Sequence, residues 1–260
     1  MTSILRDRSL LKITGEDSAK FLQNLITNDI YSDKPIYAMM LSPQGRFLFD
    51  IFIIRVEDSF LLDISESTKD VLLQKLDMYR INMKVNIEDI SEISKICYGR
   101  LVPNVEIYYK DPRFEKLGYR FITSNEISED NSYKEDKYNY SIPDGGIDLL
   151  YDKAMPQEYG AEELNAISYS KGCYVGQEVI SRTKYQGQVR KKIYKITAEN
   201  GLDSIKYGTE IVSYGQKIGM FCSGYNKNGI ALIREENLDP TESAPTVDNL
   251  AIDLEKAIWY

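Results

Sequence analysis

Histidine is absent from all 260 residues. Without an imidazole there is no Ser–His or Cys–His nucleophile pair, no His-ligated zinc, and no side chain that titrates near neutrality unperturbed. Acid–base work therefore falls to Asp, Glu, Lys, Tyr or a shifted Cys. Cysteine is scarce as well. Cys97, Cys173 and Cys222 lie far apart with no C-x-x-C, and an odd count fits a reducing compartment better than a disulfide scaffold. No two of them are spaced as local metal ligands. No apolar run approaches the roughly 20 residues that span a bilayer. The longest, Phe47-Leu48-Phe49 followed by Ile51-Phe52-Ile53-Ile54, is interrupted by Asp50. Positive charge is in deficit: a net charge of -8 argues against phosphate neutralisation over a broad surface, so bulk nucleic-acid binding is not expected. Residues Met1 to Leu11 carry neither the apolar core of a signal peptide nor the Arg/Ser-rich helix of a transit peptide, and the expected address is cytoplasmic, off the membrane.

What is present suits a globular α+β chain, since 43% hydrophobic residues can bury a proper core. Residues 4–13 and 47–56 read as strands. Between them, Gly15-Glu16-Asp17-Ser18 enters a helix over Ala19 to Leu25, and Pro43-Gln44-Gly45 is a tight turn after Met39-Met40-Leu41. Phe60 to Ile64 reads as a strand. Val71, Leu72, Leu76 and Tyr79 recur at helical spacing behind a Ser67-x-x-Asp70 start. Ser91 to Phe121 alternates short strands with turns, and the polar stretch Ser128 to Tyr140 reads as a surface helix or a loop. Arg182 to Lys195 holds six cations and no acid: Arg182, Lys184, Arg190, Lys191, Lys192 and Lys195. Beyond it, short strands at close spacing predict a small β-barrel, with Pro240 to Thr246 as a loop. The expected division is an amino-terminal region over 1–188, in two mixed α/β subdomains (about 1–95 and 96–188), and a carboxy-terminal barrel over 189–260.

Lys171-Gly172-Cys173-Tyr174-Val175-Gly176-Gln177-Glu178 places one thiol between two glycines, beside a cation, at a predicted helix start. A positive helix end and Lys171 both favour thiolate over thiol, although a buried cysteine in a turn is the plain alternative. Cys97 and Cys222 sit in apolar, strand-like settings and read as structural. The octapeptide resembles the K-G-C-Y-x-G-Q-E signature of YgfZ-type folate-binding proteins, relatives of the aminomethyltransferase (T-protein) of the glycine cleavage system. Ile13 to Asp17, Phe21 to Asp29, Leu41 to Asp50, Tyr79-Arg80-Ile81 with Lys84-Val85, Pro156-Gln157-Glu158, and Gly187 with Arg190 fit the same family in the same order. The likeness is weakest between about Ile87 and Tyr140.

That resemblance implies a GcvT-like fold that binds tetrahydrofolate or a derivative and supports assembly or repair of iron–sulfur enzymes, with indirect effects on tRNA modification. Asp29, Gln44, Arg46, Asp63, Tyr79, Arg80, Gln177, Glu178 and Arg190 are the implied folate contacts, and the basic stretch is a receptor for the anionic folate tail or for a negatively charged partner face. Cys173 and Lys171 are the implied functional pair. One thiol cannot hold a cluster alone, so Cys173 would serve as a transient ligand shared with an iron–sulfur carrier or client protein, with no resident metal. Two rivals stay open. Aminomethyl transfer is disfavoured because Asp63-Ile64 stands where the transferases carry Asn-Ala, although Asp70 can be aligned with their carboxylate; a folate-binding regulatory module without chemistry is the other.

Overall fold

The computed structural model describes residues 2–125, 127, 130–238 and 244–260. The chain enters through β1 (Thr2–Ile4), turns over Leu5–Asp7, and continues as β2 (Arg8–Thr14). The single strand expected over 4–13 is therefore two strands in two different sheets. A hydrogen bond from the Arg8 amide to the Leu5 carbonyl (3.1 Å) closes the turn between them.

After α1 (Ser18–Leu25) come β3 (Ile36–Leu41), β4 (Phe47–Val56), β5 (Ser59–Ser65), α2 (Lys69–Tyr79) and β6 (Asn86–Asp89). The five strands form an antiparallel sheet in the order β3-β4-β5-β2-β6. Side chains alternate across it, as the pleat requires. Phe60, Leu62 and Ile64 join one core with Phe21, Leu22 and Leu25 of α1 and Leu72 and Leu76 of α2. Leu61, Phe52, Tyr37 and Leu10 enter a second core on the opposite face. The expected apolar face of α2 is narrower than its spacing predicts, because Val71 and Tyr79 remain exposed. Ser67 does not cap the helix: residues Glu66–Thr68 form a 3-10 turn, and the α-helix starts at Lys69.

A second antiparallel sheet has the order β1-β7-β9-β8, with β7 (Lys95–Gly99), β8 (Ile107–Lys110) and β9 (Tyr119–Thr123). Pairing of Thr2–Ile4 with Gly99–Cys97 carries the start of the chain out of the first subdomain and into the second. α3 (Ser132–Tyr140) packs beside this sheet and is no surface helix, since Tyr133, Asp136, Lys137 and Tyr138 are all buried. Polarity alone points outward; here it is neutralised by partners in the interior. Ser128 and Glu129, which were included in that expected element, lie outside the described residues.

α4 (Gln177–Gln186) leads to the last sheet, built from β10 (Lys191–Thr197), β11 (Glu210–Ser213), β12 (Gln216–Tyr225), β13 (Asn228–Arg234), β14 (Pro245–Val247), β15 (Leu250–Ala251) and β16 (Asp253–Lys256). The order is β15-β14-β11-β12-β13-β10-β16. β15 and β16 occupy opposite edges, yet only Ile252 separates them in the chain. One residue bridges no more than about 7 Å between its neighbours, so the sheet curls until its edges nearly meet around Ile196, Ile211, Phe221, Ile233 and Val247. Of the loop expected over 240–246, residues 240–243 lie outside the described residues, and Pro245 and Thr246 belong to β14.

Candidate functional site

The thiol-bearing loop is fastened to the end of α1. Thr27 Oγ1 donates to the Ala166 carbonyl (2.6 Å), the Ser168 amide to the Thr27 carbonyl (3.0 Å), and Asn28 Nδ2 to the Asn165 carbonyl (2.8 Å). Lys171 completes the join. Its buried Nζ donates to the carbonyls of Gln23 (2.7 Å) and Ile26 (2.6 Å), in the last turn and at the C-cap of α1 where carbonyls lack intrahelical partners, and to that of Asn28 (2.9 Å) in the loop that follows. Burial pushes the Lys171 ammonium down to about 8, opposed by the charge of Asp29, so it remains a cation at neutral pH. Asp29 in turn accepts from Gln23 Nε2 (3.0 Å) and the Tyr31 amide (3.1 Å).

This arrangement corrects the expected role of Lys171. Its charge is committed to three backbone carbonyls, which makes it a positioning residue for the loop rather than a free cation beside the thiol. Lys171→Met is expected to destabilise the protein by about 2–3 kcal/mol, because buried carbonyls lose a charged donor. Urea denaturation checks the loss. Alkylation of Cys173 at fixed pH should change less than about twofold in the same variant; a larger drop would restore Lys171 to thiol activation.

Cys173 itself is exposed, whereas Cys97 and Cys222 are buried. Burial also pushes the Cys222 thiol well above its ordinary range. Three residues beyond Cys173, Gly176 sits at φ +85° as the N-cap of α4, and a Cβ there would stand 2.6 Å from the Ser42 carbonyl oxygen. Gly45, at φ +72°, is equally constrained, since its Cβ would meet Val179 at 2.8 Å. The two glycines let the β3–β4 turn press directly on the first turn of α4. Gln44, Arg46, Gln177 and Glu178 are thereby gathered near the thiol loop, with Gln44, Arg46 and Glu178 exposed. Arg46 donates from Nη1 to the Lys153 carbonyl (2.9 Å). Behind the helix, buried Gln157 donates from Nε2 to the Ile180 carbonyl (3.0 Å).

Asp63 is elsewhere, deep between the two sheets. It accepts from Arg8 Nε (2.7 Å) and from Arg120 Nη2 (2.6 Å), while Arg8 also reaches Asp50 at 3.1 Å. Arg113 grips Asp111 with two bonds (3.0 and 2.8 Å) and Asp144 with a third (2.7 Å). Lys137 continues the chain to Asp144 (3.1 Å) and Asp148 (2.8 Å), and Ser223 of the barrel donates to Asp148. Arg120 lies 3.9 Å over the Phe52 ring. Burial opposes each of these charges, but the partners prevail: Lys137 and Arg113 hold the Asp144 carboxyl well below the usual range, and Arg113 does the same for Asp111. Sequence reasoning missed this network. Its signal was a lone acid inside an apolar strand, Asp50 in Phe47–Ile54 and Asp63 in Phe60–Ile64.

A folate needs a concave site with apolar walls and a few converging polar groups. The nine expected contacts do not form one. Asp63 is fully buried and ion-paired, whereas Tyr79 and Arg80 close α2 on the other face of the first sheet, where Arg80 pairs with Asp77 (2.9 Å). Arg190 is exposed between α4 and β10. Four cations of the basic stretch have partners: Lys184 pairs with Glu162, Lys191 with Glu158 (3.3 Å) and Lys192 with Glu235 (3.4 Å), and Lys195 donates to Asn139 (3.2 Å). As a set, these residues do not fit a folate. Among the described residues no cluster of His, Cys, Asp or Glu is placed to hold a metal ion, and no helix is long and apolar enough to cross a membrane.

Comparison with known families agrees with this architecture. The GCVT N-terminal domain matches residues 8–97, and the CAF17 C-terminal β-barrel domain matches residues 190–260. The chain joins a GcvT-like domain to a CAF17-type barrel. Over its full length it superposes on the glycine cleavage system aminomethyltransferase T from Bartonella henselae with a TM-score of 0.75, covering 86% of that chain, and 11% sequence identity makes this a likeness of fold alone. Among curated relatives, the mitochondrial iron–sulfur cluster assembly factor IBA57 of Homo sapiens is 29% identical over 90% of this chain and 77% of its own length. The Mus musculus protein of the same name is 28% identical over the same shares. The Dictyostelium discoideum homologue is 27% identical over 74% of this chain and 61% of its own length. These names correct the expected cytoplasmic address, since the relatives are mitochondrial proteins. The opening residues carried no information strong enough to decide a compartment.

Proposed function

We propose that the protein supports iron–sulfur cluster assembly by offering the Cys173 thiolate as one ligand of a cluster whose other ligands come from a carrier or client protein. Exposure of Cys173 carries this reading, together with the assembly-factor names of the relatives. An iron–sulfur cluster takes four protein ligands, and a single exposed thiol on a rigid platform can complete such a set only in partnership. The step is a ligand exchange. The Cys173 sulfur bonds to iron, one thiolate of the donor leaves, and the proton released by Cys173 goes to the departing thiolate; no electron is transferred. Enzymes that depend on clusters, tRNA-modifying enzymes among them, would lose activity indirectly when the protein is missing.

A glutathione-ligated [2Fe–2S] complex tests the thiol. The wild-type protein should take up the cluster with new visible absorption and circular dichroism, and Cys173→Ser should not, while Cys97→Ser and Cys222→Ser still do. Equal uptake by Cys173→Ser would overturn the assignment.

Folate binding is a second, separate reading, favoured by one cavity of about 320 Å³ between the Ser3–Asp7 segment and α3. Tyr133 and Tyr138 supply aromatic walls, and Lys134, in a lining that also holds Asp7, Asp130 and Asp144, supplies a cation for a glutamate carboxylate. Titration with tetrahydrofolate should then quench tyrosine fluorescence and weaken with Lys134→Glu; no binding at millimolar folate would remove the ligand from this fold.

A further inference from the structure

Building on the cluster-ligand reading above, we infer that the solvent face of α4, together with Arg190, is the docking surface for an acidic face of the protein that shares its cluster with Cys173. In a helix, positions four and seven apart lie on one side. On α4 that side shows Glu178, Arg182 and Tyr185, all exposed, whereas Ile180 is buried. The inner side is fixed by the Gln157 bond to the Ile180 carbonyl and by the contact of Val179 with Gly45. On the outer side Tyr185 meets the edge of the Tyr169 ring at 6.2 Å between centroids and stays largely exposed.

Its charge selects the occupant. The chain carries 40 acids against 32 cations, yet residues 179–198 hold six cations and no acid. Lys184, Lys191 and Lys192 are paired within the chain. Arg182 and Arg190 are exposed and make no ion pair among the described residues. Tyr185 stands 70% exposed beside Arg182, and Tyr and Arg are the side chains that interfaces favour over Lys and Glu. Cations on this face offset the charge of an acidic protein surface seated beside Cys173. Arg182 lies about 9 Å along the helix from Gly176, within the footprint of a protein seated on Cys173. Nucleic acid is disfavoured, because a single exposed tyrosine gives no run of stacking platforms.

The test uses Arg182→Glu with Arg190→Glu, the conservative Arg182→Lys with Arg190→Lys, and a photo-crosslinking residue in place of Tyr185. In cells lacking the wild-type gene, the Glu pair should lower iron–sulfur enzyme activity about fivefold or more, and the Lys pair should stay within about twofold of wild type. The crosslink from position 185 should reach an iron–sulfur protein through an acidic segment, and the Glu pair should abolish it. Uptake of [2Fe–2S] from the glutathione complex should be unchanged in the Glu pair, which separates docking from ligation. Full enzyme activity with the Glu pair overturns the surface. So does a wild-type protein that binds single-stranded RNA at physiological salt and loses it with the Glu pair. Failure of the underlying reading shows elsewhere, as cluster uptake by Cys173→Ser.

Discussion

Arg120→Met is expected to destabilise the protein by about 3–5 kcal/mol, the cost of leaving a buried charge without one of its partners. Arg120 is buried on the Phe52 ring and holds Asp63 through Nε (2.9 Å) and Nη2 (2.6 Å). Its removal leaves Asp63 with Arg8 alone, in an interior where five carboxylates (Asp50, Asp63, Asp111, Asp144, Asp148) already face four cations (Arg8, Arg113, Arg120, Lys137). Arg120→Met combined with Asp63→Asn should cost less than the sum of the single changes, because the pair leaves together. Urea denaturation measures all three variants, and a loss under about 1 kcal/mol for Arg120→Met would show that the network does not hold the layers together.

The same network sets the response to acid. Burial works against the charged forms of Asp111 and Asp144, but Arg113 and Lys137 hold both pKa values below the ordinary carboxylate range. Below about pH 4 the unfolded chain therefore binds more protons than the folded one. Their stabilising contribution is fully present above that range and is lost as pH falls through the depressed folded values. Stability measured from pH 6 down to pH 3 should drop steeply at the acid end, and Arg113→Met should flatten that drop while lowering stability at neutral pH.

Cys173→Ser should abolish support of iron–sulfur enzymes in cells while leaving the melting temperature within about two degrees of wild type. The side chain is exposed, so its loss opens no cavity. Aconitase-type activity in a strain lacking the wild-type gene is the readout. Cys97→Ser and Cys222→Ser should behave oppositely, retaining function per folded molecule and losing stability, because each thiol is buried and a hydroxyl in its place costs more to desolvate. Full complementation by Cys173→Ser would remove the thiol from the mechanism.

The sequence by itself determined the local pieces: strands β4 and β5, helix α1, the β3–β4 turn, the strand-rich carboxy-terminal region, and the thiol at a helix start. Each rests on short-range rules, alternation, helical spacing and glycine punctuation, that act within a dozen residues. The thiol motif was legible for the same reason, since Gly176 and α4 lie next to Cys173 in the chain. Only the tertiary structure decided that Thr2–Ile4 joins the second sheet, that α3 is an inner helix, and that Lys171 caps α1 from 143 to 148 residues away. It also decided that Asp63 is bound by Arg8 and Arg120, 55 and 57 residues distant. A charged side chain reads as solvent-exposed until its partner is known, and partners brought together by folding leave no periodicity in the sequence. Where burial and pairing act together, the identity of the neighbour, rather than the residue's own polarity, fixes its place.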